Sequence, residues 1–111
     1  MILSHQVRST PDAVCVLLSG EIDIAVQEEL HDVLQTAVAA SPGVTEVDLR
    51  DVTFLDCTII GEFVRAYLEA RRRGQLLIVT RPREFIREVL ELANALPLLT
   101  SQPAALVGGD A

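Results

Sequence analysis

Hydrophobic residues in this 111-residue chain come in short blocks, punctuated by Pro11, Gly20, Pro42, Gly43, Gly74, Pro82 and Pro97. Ile2–Arg8 reads as a first strand, followed by a turn at Pro11 and Asp12. Ala13–Ser19, AVCVLLS, is a continuous apolar run rich in valine and leucine, the pattern of a buried strand. Together they predict an antiparallel opening hairpin. Val26, Leu30, Val33, Leu34, Ala37 and Val38 then recur at helical spacing, with Gln27, Glu28, His31, Asp32 and Gln35 mostly on the opposite face. Asp23 suits a cap near the start of this helix, and Ser41-Pro42-Gly43 ends it.

The alternation continues. Val44–Arg50 is strand-like, and Val52–Leu55 extends its line. From Cys57 to Arg73, one helical face carries Ile60, Phe63, Val64, Tyr67 and Leu68. Arg71, Arg72 and Arg73 fall in the last turn, where cations complement the helix dipole, and Gly74 closes it. Gln75–Thr80 reads as another buried strand. Pro82 opens a third helix with Phe85, Ile86, Val89, Leu90 and Ala93 facing inward. Leu98–Ala111 adds a final apolar piece, strand or short helix, and a glycine-rich tail. Two strands followed by alternating helix and strand predict a single α/β domain spanning residues 1–111, with a core over 1–100 and a tail over 101–111. Its sheet is mixed and four- to five-stranded: an opening hairpin, then parallel strands, with three to four helices packed on it.

Composition narrows the function. Half the residues are hydrophobic and the mean hydropathy is +0.35, which excludes intrinsic disorder as the main description. The longest apolar runs are too short to span a bilayer, so no membrane insertion is expected. The opening MILSHQVRST lacks a basic region followed by an apolar core, so a cytoplasmic location is expected. The net charge is −7 and all nine basic residues are arginine. Without lysine there is no Schiff-base nucleophile and no phosphate-loop lysine. An acidic chain with few aromatics is also a poor nucleic-acid binder. Cys15 and Cys57 form no disulfide framework, and with His5 and His31 they lack zinc-ligand spacing. Asp48, Asp51 and Asp56 are spaced so that a strand points them to different faces, and no metal or cofactor is expected. The motif G-x-S-x-G is absent and no nucleophile–base pair is evident, so the chain reads as a non-enzymatic module.

The segment most open to a functional reading is DVTFLDCTIIG, Asp51–Gly61, where a strand ends and a helix begins. Asp56 suits an N-cap, which puts Cys57 and Thr58 in the first helical turn. A phosphate added here would meet free amides at the positive end of the helix dipole. A plain capped helix start fits the same residues.

Four segments, in order, resemble the STAS domain family of bacterial anti-sigma-factor antagonists. LSGEID (Leu18–Asp23) is similar to its strand-to-helix signature, and VDLRDVTFLD (Val47–Asp56) to its central strand and turn. RRRGQLLIV (Arg71–Val79) and RPREFIREVLELANALPLL (Arg81–Leu99) are similar to its glycine turn, last strand, third helix and apolar ending. The resemblance implies a switch protein that binds an anti-sigma factor with a serine/threonine kinase fold and thereby releases a sigma factor. In that family the turn typically reads D-S-S-G-L, and the first serine is the usual phosphate acceptor. Here Asp56 matches the aspartate, Cys57 stands at the acceptor position and Thr58 at the second serine. Ile59 replaces the glycine, Ile60 the leucine, and Gly61 matches a glycine that often follows. Thr58 is the hydroxyl left in the turn, and is the candidate phosphorylation site.

The resemblance also implies a partner-binding surface of Asp23, Asp56, Cys57, Thr58, Ile59, Gly61, Glu62 and Arg65. Ile59 is either an exposed apolar member of that surface or a core residue. Asp23 is a rim contact, a helix cap, or both, and Glu21 could serve either way. Cys57 at a helix start could be reactive; Cys15, mid-strand, reads as buried and inert. His5 and His31 read as solvated surface residues. The Arg71–Arg73 run and the alternating charges of Glu84, Arg87, Glu88 and Glu91 read as solvated helix surface. A monomer or weak dimer is expected. An alternative places the chain as a stand-alone STAS subunit of another assembly, a lipid-transport or sensory complex, without a phosphoswitch.

Overall fold

The computed structural model describes residues 3–92. Its elements are β1 (Ser4–Ser9), β2 (Ala13–Ile22), a 3-10 turn (Ile24–Val26), α1 (Gln27–Ala40), β3 (Val44–Leu55), α2 (Cys57–Arg72), β4 (Leu76–Thr80) and α3 (Glu84–Leu92). The four strands form one sheet in the order β1-β2-β3-β4. β1 runs antiparallel to β2. β2 and β3 are parallel, as are β3 and β4. The predicted mixed α/β sheet is therefore the observed one. Ala93 and the Leu98–Ala111 piece lie outside the described residues.

One face of the sheet is the core. Val14, Val16 and Leu18 of β2, Val47 and Leu49 of β3, and Leu77 and Val79 of β4 are buried there. Leu30, Leu34, Ala37 and Val38 of α1 join them, as do Ile59, Ile60, Phe63, Ala66, Tyr67 and Ala70 of α2, and Ile86 and Leu90 of α3. Two positions in this pattern differ from expectation. Leu68 of α2 is 54% exposed and Phe85 of α3 is 53% exposed. The inward face of α2 is centred on Phe63, Ala66 and Ala70, and Leu68 falls off that stripe. On α3 the described inward side chains are Ile86 and Leu90, spaced one turn apart, and Phe85 falls beside that stripe.

β3 is a single strand of 12 residues, where the sequence suggested two collinear pieces. Register shifts in its pairing with β2, between Leu17 and Ser19 and between Gly20 and Glu21, let the ladder continue to Leu55. Gly20 sits in this irregular stretch with φ +83°, a left-handed conformation that side-chain-bearing residues avoid. Gly74 ends α2 with φ +73°, as a helix-terminating glycine should. The non-glycine residue in the same region is Arg81, φ 52°, just past β4. Its guanidinium reaches back over the second sheet face to Asp48 at 2.9 Å and Glu46 at 3.1 Å.

Candidate docking face

The β2–β3 extension carries both strand ends to one edge of the molecule. The pairing of Ile22 with Leu55 and the bond from the Asp56 amide to the Ile22 carbonyl (3.0 Å) set the two following turns side by side. In the first, Asp23 Oδ1 accepts from the Ala25 amide (2.9 Å) and caps the 3-10 turn. Asp23 therefore does act as a cap, but of the short turn that precedes α1. In the second, Asp56 caps α2: its Oδ1 accepts from both the amide and the hydroxyl of Thr58, each at 2.9 Å. These bonds, the backbone one foremost, hold the Asp56 carboxyl below the usual carboxylate range.

Around these turns the surface is partly apolar. Ile24 is 64% exposed and Phe54, opposite Glu21 in the ladder, is 40% exposed. Neither was singled out from sequence, because an isolated apolar residue in a turn or at a strand end carries no periodic signal. Cys57, Thr58, Gly61 and Arg65 are exposed and with Leu68 form a stripe along the outer side of α2, in which Thr58, Gly61, Arg65 and Leu68 follow at steps of three or four residues. A Cβ built on Gly61 meets nothing within 4 Å. No packing contact therefore requires glycine at this mid-helix position.

Two residues expected on this surface are turned into the fold. Ile59 is fully buried, because the first turn of α2 lies against the sheet, and the core reading of this residue is the observed one. Glu62 is 96% buried and serves as a hub between α1 and α2. Gln27 Nε2 donates to Glu62 Oε2 at 3.0 Å, Arg65 donates to the same oxygen at 2.7 Å, and His31 Nδ1 lies 2.8 Å from Oε1. Because a carboxylate only accepts, His31 is in the Nδ1–H tautomer or protonated. Burial opposes ionisation of Glu62, but the bonds from Gln27 and His31 and the charge of Arg65 outweigh it and keep the carboxyl below its ordinary range. His31, expected as solvated, thus has a partner 31 positions away, a separation no local pattern reveals.

On the second sheet face, Cys15, Glu46 and Asp48 bring one ligand atom each within 4.8 Å of one another. Arg81 is already paired with both carboxylates, and burial, with their negative charge, pushes the Cys15 thiol up. Both cysteines are free thiols; Cys15 is half-buried and Cys57 exposed. At the end of α2, Arg72 and Arg73 both bind Glu69 and hold its carboxyl down to about 2, in keeping with a solvated charged helix end. Among the described residues no helix is long and apolar enough to cross a membrane.

The match to known proteins covers most of the chain. A family model described as "Mlab, STAS domain" matches residues 5–100. The chain belongs to the STAS domain family. Among curated relatives, this STAS domain is 28% identical over 68 residues to the anti-sigma-B factor antagonists of Listeria monocytogenes and Listeria innocua. That alignment covers 61% of this chain and 60% of theirs, so the chain spans about three-fifths of those relatives' length. The fold of the STAS domain is similar to that of the anti-sigma factor antagonist SpoIIAA in its unphosphorylated form, with TM-score 0.76 and 19% identity, covering 96% of this chain and 97% of that one. The phosphorylated form of the Bacillus protein matches with TM-score 0.67 and 19% identity, over 83% of this chain and 85% of that one. An anti-sigma factor antagonist from Mycobacterium paratuberculosis gives TM-score 0.68 at 21% identity, over 89% of this chain and 86% of that one.

Proposed function

We propose that this STAS domain is an anti-sigma-factor antagonist. It binds an anti-sigma factor of serine/threonine kinase fold through the face formed by Asp23, Ile24, Phe54, Asp56–Thr58 and the outer stripe of α2, and so releases a sigma factor. The observation that carries this reading is Gly61. A mid-helix glycine costs roughly 1 kcal/mol relative to alanine, yet nothing in the fold needs its missing side chain. A flat spot in an exposed stripe that also carries Arg65 and uncovered Leu68 is what a docked partner requires. The exposed Thr58 hydroxyl beside the Asp56 carboxylate makes the same place suited to a switch. A phosphoryl group on Thr58 Oγ1 replaces the proton now donated to Asp56. It adds about −1.5 to −2 charge beside that carboxylate, so the bond across the turn gives way to repulsion and the face changes in both shape and sign.

The test is to incubate the purified chain with its host's kinase-fold anti-sigma factor and Mg-ATP, then map phosphate by mass spectrometry. The reading expects phosphate on Thr58, none in Thr58→Val, and weaker binding of Thr58→Glu by at least about tenfold, one charge-assisted contact's worth. A second reading is favoured by the Cys57-Thr58-Ile59 turn, which lacks a serine at the usual acceptor position: a stand-alone STAS subunit of another assembly, a lipid-transport or sensory complex, that uses the same face without phosphorylation. Co-purification with a transporter subunit, and no phosphate on Thr58, would select it.

A further inference from the structure

We propose that the chain self-associates through β1, joining two sheets edge to edge into one continuous eight-stranded sheet about a two-fold axis at Val7. β1 is at the edge of the sheet, and all six of its residues are exposed. Its guards against pairing are few: a single full charge, Arg8, in the strand. There is no proline or lysine in Ser4–Ser9, and its register with β2 runs without a bulge from Ser4–Ser19 to Ser9–Val14.

The ladder fixes which groups are free. The Thr10 amide donates to the Ala13 carbonyl, so Thr10 and Ala13 are a hydrogen-bonded pair, and pairing alternates from there. Ser4, Gln6 and Arg8 bond to β2, while His5, Val7 and Ser9 turn their N–H and C=O groups outward. Those same three side chains line an apolar groove of about 270 Å³ between β1 and α1, with Val14, Val33 and Ala37. At its centre Val7 is 51% exposed.

A second copy fits this edge better than a shifted one. With the axis at Val7, His5 bonds Ser9 of the partner subunit, Val7 bonds the partner's Val7, and Ser9 bonds the partner's His5, two hydrogen bonds per pair. On the opposite face Gln6 lies across from the partner's Arg8. Moving the axis to residue 8 would set Arg8 against the partner's Arg8, a destabilising like-charge pair. Moving it to residue 6 would leave Ser9 unpaired. The net charge of −7 does not oppose the contact: β1 has no acidic residue, and Asp32 is the one carboxylate lining the groove. A contact this narrow falls below the ~1,200 Å² of standard interfaces, so association is weak, with Kd on the order of 100 μM. It leaves Asp56–Thr58, two strands away, uncovered.

Sedimentation equilibrium from about 10 μM to about 1 mM, paired with amide hydrogen exchange, tests this. The expected result is a monomer–dimer equilibrium in which the Val7 and Ser9 amides gain protection as concentration rises. Gln6→Glu creates two Glu–Arg pairs and should tighten the dimer about fivefold; Gln6→Arg should weaken it by a similar factor. Gln6 is exposed, so both variants keep the fold. A monomer throughout the range overturns the proposal. So does a dimer that Gln6→Glu weakens, or protection of Val7 and Ser9 that is independent of concentration, which would mean the chain's own remaining residues cover the edge. Concentration-independent exchange with saturable binding of an extended peptide instead would assign the edge to a different partner.

Discussion

Glu62→Gln removes the charge from a buried hub while keeping its size. The wild-type carboxylate accepts three hydrogen bonds, from Gln27, His31 and Arg65. Glutamine offers one oxygen and presents an NH2 to at least one donor. Hydrogen bonds to a charged group contribute about 1.5–3 kcal/mol each, but Arg65 and His31 are 62% and 45% exposed and can turn to water. Their losses are therefore discounted to fractions of a kcal/mol each, while the mismatched donor inside the helix junction costs most. The sum is about 2–3 kcal/mol. With unfolding entropy near 2.1 cal/mol/K per residue, this lowers Tm by about 9–13 °C at pH 7. The pH dependence follows from the lowered Glu62 pKa. The stabilisation is complete above the unfolded value of 4.5 and is lost as pH falls through the folded value below it. The gap between wild type and Glu62→Gln should therefore narrow below about pH 4.5. Differential scanning calorimetry at pH 7 and pH 4 measures it. A gap within about 2 °C at pH 7, or one unchanged at pH 4, would mean that Glu62 is not a stabilising ionised hub.

Gly61→Ala should raise stability by about 0.5–1 kcal/mol in urea unfolding, since its Cβ enters open space, yet weaken partner binding in calorimetric titration. Asp56→Ala removes the α2 cap and should lower Tm; the wild-type advantage is present above the unfolded pKa of 3.8 and lost as pH falls below it, seen by comparing melts at pH 6 and pH 3. Arg81→Gly relieves a left-handed backbone worth about 1 kcal/mol but leaves buried Asp48 with Arg50 at 3.5 Å as its remaining ion pair, which costs about 2 kcal/mol. A net loss of roughly 1 kcal/mol of unfolding free energy, measured by urea unfolding, is expected.

The fold was legible because its signals are local and redundant. The valine-rich run at Ala13–Ser19, the glycines at 20 and 74, and the periodic faces of α1 and α2 each specify one element independently. The candidate face was legible only in part. Asp56 and Thr58 stand at a strand-to-helix turn that sequence alone can mark. Ile24 and Phe54 join them through a ladder with two register shifts, which no pattern along the chain encodes. Glu62 misled for the opposite reason. Its charge argued for an outer position, and the three donors that let it be buried come from residues 35 and 31 positions upstream and one turn on. Leu68 misled because apolar character outweighed its place one step off the inward stripe.

The proposed function depends on the face at Asp56–Arg65 binding an anti-sigma factor. Its most direct test is NMR titration of the labelled chain with the kinase-fold anti-sigma factor of its own host. Docking at this face should concentrate amide shifts at Asp23, Ile24, Phe54, Asp56–Thr58, Gly61, Arg65 and Leu68, and Thr58→Glu should abolish them. Saturable binding that instead shifts residues elsewhere in the fold, or no binding at millimolar partner, would contradict it.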